Sequence, residues 1–173
     1  MLKFAEWLST TAPSVFIQTH QAWMIPTIQS VHIMGIGLVV GCNFMVTLRI
    51  LGWAAMDQTL RQSHDRFGPW LTGALWLVAT TGLLMVIGEP VRELVTFSFW
   101  LKMALVAVVV LIAVSFQRSL RRHAQAWENT GANGAAAKGM AILTCVILAC
   151  IIILGRLIAY DHVWGHLSPA TKA

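Results

Sequence analysis

Three ionisable side chains lie within or at the ends of long apolar runs of this sequence. His32 stands at the start of the first run, Lys102 lies early in the third, and Arg156 lies near the end of the fourth. A charge at the centre of a membrane helix costs roughly 2.5–3.5 kcal/mol on insertion scales, so such residues are candidates for function. Because successive membrane helices run in opposite directions, these positions are expected at one depth, near one membrane surface.

A set of glycines follows the histidine, at positions Gly35, Gly37 and Gly41. The last two form a small-xxx-small pair, which allows a second helix to approach closely. Beside a histidine, the same absence of side chains leaves room for a flat macrocycle, with Gly35 against it. The sequence leaves both interpretations open.

The combination of a histidine with nearby cations favours a haem. One b-type haem needs axial ligands for its iron and cationic groups for its two propionates. His32 and His162 are the predicted ligands, and Lys102 and Arg156 are the predicted propionate partners. The alternative for these cations is to extend to the interface, where Glu89, Glu93 and Asp161 could pair with them.

Other ligand sets are also open. His20 precedes His32 by twelve residues and could fold back over the mouth of the bundle if Pro26 breaks the chain there. His166 lies four residues beyond His162, so the two would share one face of a continued helix. With Asp161 nearby, that spacing also suits a copper or zinc site.

The elements that must position these residues follow from composition. Hydrophobic residues make up 57% of the 173 positions and charged residues 11%, against roughly 45–50% and 25% in soluble domains. The mean hydropathy of +0.71 also excludes a disordered chain. One integral membrane domain covering 1–173 is expected, and the net charge of +5 is explained by membrane orientation, with no nucleic acid partner.

Four apolar runs have the length of roughly 20 residues that a helix needs to cross a bilayer. The predicted fold is therefore an all-α membrane bundle, with spans at about 31–51, 69–88, 97–117 and 139–160. An interfacial segment, 1–30, precedes them as one or two short helices, interrupted by Pro13 and Pro26.

Basic residues predict the orientation. The loops 52–68 and 118–138, which share one side, hold six of the twelve Lys and Arg residues, and Arg49 lies at the adjoining helix end. The loops and tails of the opposite side hold three, Lys3, Arg92 and Lys172. Positive residues stay in the cytoplasm, so both termini are expected on the outer side. In a bacterium this places a multi-pass protein in the inner membrane with periplasmic termini.

Short motifs carry a resemblance to a protein group. The chain resembles small bacterial four-helix inner-membrane proteins of mostly unassigned function. Three segments carry this resemblance: Gln29 to His32 with the glycines after it, the run 99–103, and the run 155–160. The layout is distantly similar to cytochrome b561-like and copper-resistance membrane proteins. The cytochrome resemblance implies haem b held by histidines of different helices. The second and third predicted spans contain no histidine, so one haem is expected.

The leading functional expectation is electron transfer near the periplasmic face by a haem protein of the lipid bilayer, with a quinone or a periplasmic redox protein as partner. Two alternatives stay open: a cofactor-free subunit of a larger membrane complex, and a copper- or zinc-handling membrane protein. Whether the chain is an enzyme is undecided at this point, since no nucleotide loop or nucleophile setting is visible in the sequence.

Overall fold

A computed structural model describes residues 1–54, 57, 59–122 and 134–158, and for 120–122 it describes the backbone alone. Seven helices and no strand occur within these residues. They are α1 (Leu2–Ser9), α2 (Ala12–Thr19), α3 (Gln21–Leu51), α4 (Leu60–Gly88), α5 (Pro90–Leu94), α6 (Phe97–Arg122) and α7 (Ala135–Leu157). The predicted all-α class is confirmed, with four long helices forming a bundle.

The four long helices, α3, α4, α6 and α7, are each long and apolar enough to cross a membrane. Their outward faces carry many exposed large apolar side chains, such as Met34, Trp76, Leu111 and Ile153. Water would be a poor solvent for such faces, whereas lipid tails match them. The chain thus has the features of a multi-pass membrane protein, and its spans overlap the four predicted runs.

The expected break at Pro26 is wrong. Helix α3 begins at Gln21 and continues through Pro26, ten residues before the predicted start at position 31. Pro26 lies beyond the first turn and removes one intrahelical hydrogen bond. Membrane helices tolerate an interior proline where neighbouring groups satisfy the freed backbone carbonyl. Pro13 behaves as expected, because it lies in the first turn of α2, where a missing N–H is tolerated.

Helix α4 also begins earlier than predicted. Thr59 accepts a hydrogen bond from the Gln62 backbone at 3.1 Å, and the Gln62 side chain accepts one from the Thr59 backbone at 2.8 Å. This capping box starts a polar helical extension ahead of the apolar run. Half of the predicted loop 52–68 is therefore helical.

The long helices pack in pairs. The most extensive contacts join α3 to α4, α6 to α7 and α3 to α7. The close approach of α3 to α4 depends on Gly35, where an added Cβ would lie 2.8 Å from the Val78 Cγ2 atom. Between α3 and α7, the Cys145 thiol meets Asn43 at 3.4 Å and Thr47 at 3.5 Å, a polar contact within the spans.

Two buried clusters define the ends of the bundle. At one, the His32 end, Ala5 of α1 packs with Leu94, Phe99 and Ile158. At the other, the His64 end, Ile50, Leu60 and Ala141 pack together. Helices α1 and α2 thus fold against α5 and the last turn of α4, and the short helices expected in 1–30 form a cap over the His32 end.

Candidate functional site

His32 is half-buried between α3 and α4. Its ring Nδ1 lies 2.8 Å from the Thr81 hydroxyl oxygen, and its Cε1 atom packs over the backbone of Gly82, where an added Cβ would lie 3.3 Å away. Gly35 lies almost one turn further along α3 and packs against Val78 of α4. The helix contact that Gly35 allows therefore sets the position of the ring.

Hydrogen bonding selects one tautomer of the ring. The Thr81 hydroxyl donates to the backbone carbonyl of Leu77 at 2.6 Å. A hydroxyl has a single proton, so toward His32 it accepts, and ring Nδ1–H is the donor. The lone pair is then on Nε2, which is the arrangement that metal-binding histidines have when their other nitrogen is held by a hydrogen bond.

Lys102 is a cation whose charge acts on this ring. Its positive charge acts on His32 and also on Glu93 of α5. Its aliphatic stem passes Gly155, where an added Cβ would lie 4.0 Å from Cδ, and its ammonium nitrogen lies 5.6 Å from the centre of the Phe99 ring. The charge of Lys102 therefore acts on groups of α3 and α5, and its aliphatic stem lies beside α7.

Glu93 lies outside the spans, on α5, and is only 4% exposed. Burial raises its pKa above the usual carboxyl range, while the positive charges of Lys102 and Arg92 act in the opposite direction. The negative charge of Glu89 adds to the effect of burial. We call His32, Thr81, Lys102 and Glu93 the His32 cluster.

Three ionisable groups stand at similar separations from basic residues nearer the other end of their helices. His32 lies 17 residues from Arg49, Lys102 lies 16 from Arg118, and Arg156 lies 18 from Lys138, each pair within one continuous helix. At 1.5 Å per residue, these separations are about 26, 24 and 27 Å. The three groups are therefore nearly level relative to the basic residues of the His64 end.

The remaining predicted residues are placed as follows. Arg156 is exposed in the last turn of α7, next to the glycine that Lys102 passes. His20 is exposed, its Nδ1 donates to the Phe16 carbonyl at 3.0 Å, and its ring lies 4.8 Å from the Phe16 ring. Since α3 is continuous, His20 lies about 18 Å from His32 along the axis. The two histidines cannot hold one iron between them.

Tyr160, Asp161, His162 and His166 lie outside the described residues. The His162 ligand, its alternative His166 and the copper or zinc set stay predictions for this reason. Within the part of the chain that the structure describes, no group of three or more His, Cys, Asp or Glu side chains could hold a metal ion.

Thr81 is the functional residue that the sequence analysis missed. It is one of a Thr–Thr pair, Thr80 and Thr81, in a span, and such pairs most often bond to their own helix. Only the packing of α3 on α4 reveals which of the two faces His32. Glu93, in contrast, is named in the sequence analysis as a partner for Lys102, whose positive charge acts on its carboxyl.

No protein-family model, no curated protein and no solved structure matches this chain.

Proposed function

We propose that this chain is a membrane-embedded b-type haem protein that transfers electrons at the His32 end of the bundle. The observation that carries the proposal is the 2.8 Å contact of His32 Nδ1 with the Thr81 hydroxyl, which fixes the ring across the α3–α4 contact and makes Nε2 the candidate iron ligand. When bound, a haem supplies one-electron chemistry through its iron.

Two basic residues at this end suit the role of propionate partners. Lys102 provides a positive charge near His32, and Arg156 stands exposed at the same depth. Both can make charge-assisted hydrogen bonds to propionates. His162 is the proposed second ligand because it comes five residues after the end of α7 in the sequence.

Position in the membrane determines the proposed partners. A site level with the membrane surface can exchange electrons with a quinone in the bilayer or with a soluble redox protein outside it. We assign the chain to a bacterial inner membrane with both termini in the periplasm, on the distribution of basic residues.

Optical spectra of the purified protein, oxidised and reduced, test the haem. In cells supplied with haem, a Soret band is expected for the wild-type protein. His32→Ala should lose the haem or convert it to a high-spin form, because a strong-field nitrogen ligand is removed. Arg156→Ala should keep the low-spin spectrum and shift the potential.

His64→Ala is the matched control, since His64 lies at the other end beside Phe116, with 6.5 Å between ring centres. A colourless wild-type protein, or an unaltered low-spin spectrum in the His32 variant, would remove this function.

Labelling of single cysteines tests the orientation. In a variant without the three native cysteines, Ser168→Cys should react with a membrane-impermeant thiol reagent added from the periplasm, and Ser119→Cys should not. Equal labelling of the two positions contradicts the proposed topology.

A second function, an accessory subunit without cofactor, is favoured by a different observation. Gly37 and Gly41 of α3 are exposed, and an added Cβ at either would meet nothing within 4 Å. The small-xxx-small pair thus faces away from the bundle, where a helix of another subunit could pack. This function predicts a colourless protein that co-purifies with other membrane subunits in mild detergent.

A further inference from the structure

A groove lined by both polar and apolar residues lies at the His32 end, outside the His32 cluster. It has a volume of about 630 Å³, within the range of roughly 300–1,000 Å³ typical of small-molecule sites. One wall is the junction of α2 and α3, with Gln18, Thr19 and Gln21, and the other is the junction of α4 and α5, with Glu89 and Arg92.

The groove is held open by a tight contact at its edge. An added Cβ on Gly88 would lie 2.8 Å from the Ile17 Cγ2 atom, so α2 rests directly on the last turn of α4. Both residues are buried. The two walls are therefore fixed to each other by packing, and the polar side chains stand above this contact.

An ion pair supplies both signs of charge. The Arg92 NH1 group lies 2.7 Å from the Glu89 Oε2 atom, and the two side chains are 40% and 27% exposed. A guanidinium has five N–H donors and a carboxylate has two oxygens, so each partner keeps unused hydrogen-bonding capacity. The wall can bind a cation and an anion at once while its own net charge is zero.

The helices that form this end expose large aromatic rings. Phe16 is 57% exposed, Trp23 60% and Trp7 61%. Exposed tryptophans at the end of a membrane bundle are typical of the headgroup level of a bilayer. The groove lies among the helices that expose these rings.

We propose that this groove binds the headgroup of a zwitterionic phospholipid with a primary amine, phosphoethanolamine. The phosphate accepts hydrogen bonds from the free N–H groups of Arg92, and the ammonium donates to the second oxygen of Glu89. Gln21 of the facing wall is exposed and offers an amide to either group. An anionic headgroup has no ammonium to donate to the second oxygen of Glu89.

This site is independent of haem binding and is tested on the whole purified chain in detergent. Short-chain phosphatidylethanolamine should raise the melting temperature and stay bound in native mass spectra. Phosphatidylcholine, which has no ammonium N–H, and phosphatidylglycerol, which has no cation, should each bind about tenfold more weakly, as expected for one charge-assisted hydrogen bond.

The double variant Glu89→Gln, Arg92→Gln should remove this selectivity. Gln21→Ala, which leaves the ion pair and the Ile17–Gly88 contact in place, should weaken binding without altering the melting temperature of the lipid-free protein. Arg61→Gln with Asp65→Asn removes the exposed ion pair at the other end and is the matched control, with binding unchanged.

Three results would overturn the proposal. They are equal binding of the three lipids, full competition by inorganic phosphate alone, which would identify a free anion as the ligand, and unchanged binding in both groove variants.

Discussion

The two ends of the bundle contain the same kinds of ionisable residue in different surroundings. At the His32 end, Glu93 is 4% exposed and His32 donates a hydrogen bond across a helix interface. At the His64 end, Arg61 and Asp65 form a pair 3.8 Å apart on the surface of α4, with side chains 69% and 68% exposed. A buried charge costs free energy unless a hydrogen-bonding or oppositely charged partner lies beside it. An exposed charge is solvated and serves mainly to orient the chain in the membrane.

Burial therefore indicates the functional end of the bundle better than the number of charges does. Basic residues are more numerous at the His64 end, so charge count alone would direct attention there. The buried groups and their cross-helix contacts instead point to the His32 end. A buried residue and an exposed residue of the same type should therefore respond differently to the same substitution.

The largest effect is expected at the helix contact beneath His32. Gly35→Ala should destabilise the protein by about 1–3 kcal/mol, because the new methyl overlaps the branched side chain of Val78. Gly37→Ala, on the open face of the same helix, should be neutral or stabilise by up to about 1 kcal/mol through helix propensity. Chemical unfolding in detergent measures both. If Gly35→Ala is as stable as Gly37→Ala, α3 and α4 do not meet at this glycine.

The next effect concerns the hydrogen bond that orients the ring, and it depends on the proposed haem. Thr81→Val keeps the shape of the side chain and removes the acceptor for His32 Nδ1–H. Loss of such an outer partner should weaken cofactor binding by about 10–100-fold. Thr80→Val is the control, since the Thr80 hydroxyl donates to the Trp76 carbonyl of its own helix. Haem titration of both apoproteins gives the comparison, and equal affinities would show that Thr81 does not hold the ring.

The buried carboxyl at the His32 end predicts a pH dependence. Because burial raises the pKa of Glu93, the folded state binds this proton more tightly than the unfolded state. The resulting stability is present below the ordinary carboxyl pKa and is lost as pH rises through the raised one. Glu93→Gln should therefore match the wild type at pH 4 and melt at a higher temperature at pH 8.

The exposed Glu6 of α1 is the control for this titration. Glu6→Gln should follow the wild-type melting curve at both pH values. A wild-type protein that is more stable than Glu93→Gln at pH 8 would mean that the charge of Lys102 outweighs the cost of burial.

The sequence predicted the spans well because run length and hydropathy determine them. It missed the start of α4 because 60–68 contains Arg, Gln, His and Asp residues, which reduce hydropathy without preventing a helix. The capping box at Thr59 and Gln62 was a readable signal for that start. Lys102 and His32 were predicted at one depth because helix rise fixes depth. Thr81 was not, because a sequence does not specify which face of α4 meets α3.

The smallest effect is expected for the exposed ion pair at the His64 end. Asp65→Asn should change the free energy of unfolding by less than about 0.5 kcal/mol. The Arg61–Asp65 ion pair is exposed, and water solvates the two separated charges almost as well as they stabilise each other. Raising the salt concentration should reduce even this change, since exposed charges are screened. Unfolding curves of Asp65→Asn and Glu93→Gln, recorded together at pH 8, measure the contrast. A change in Asp65→Asn as large as that in Glu93→Gln would mean that burial does not distinguish the two ends.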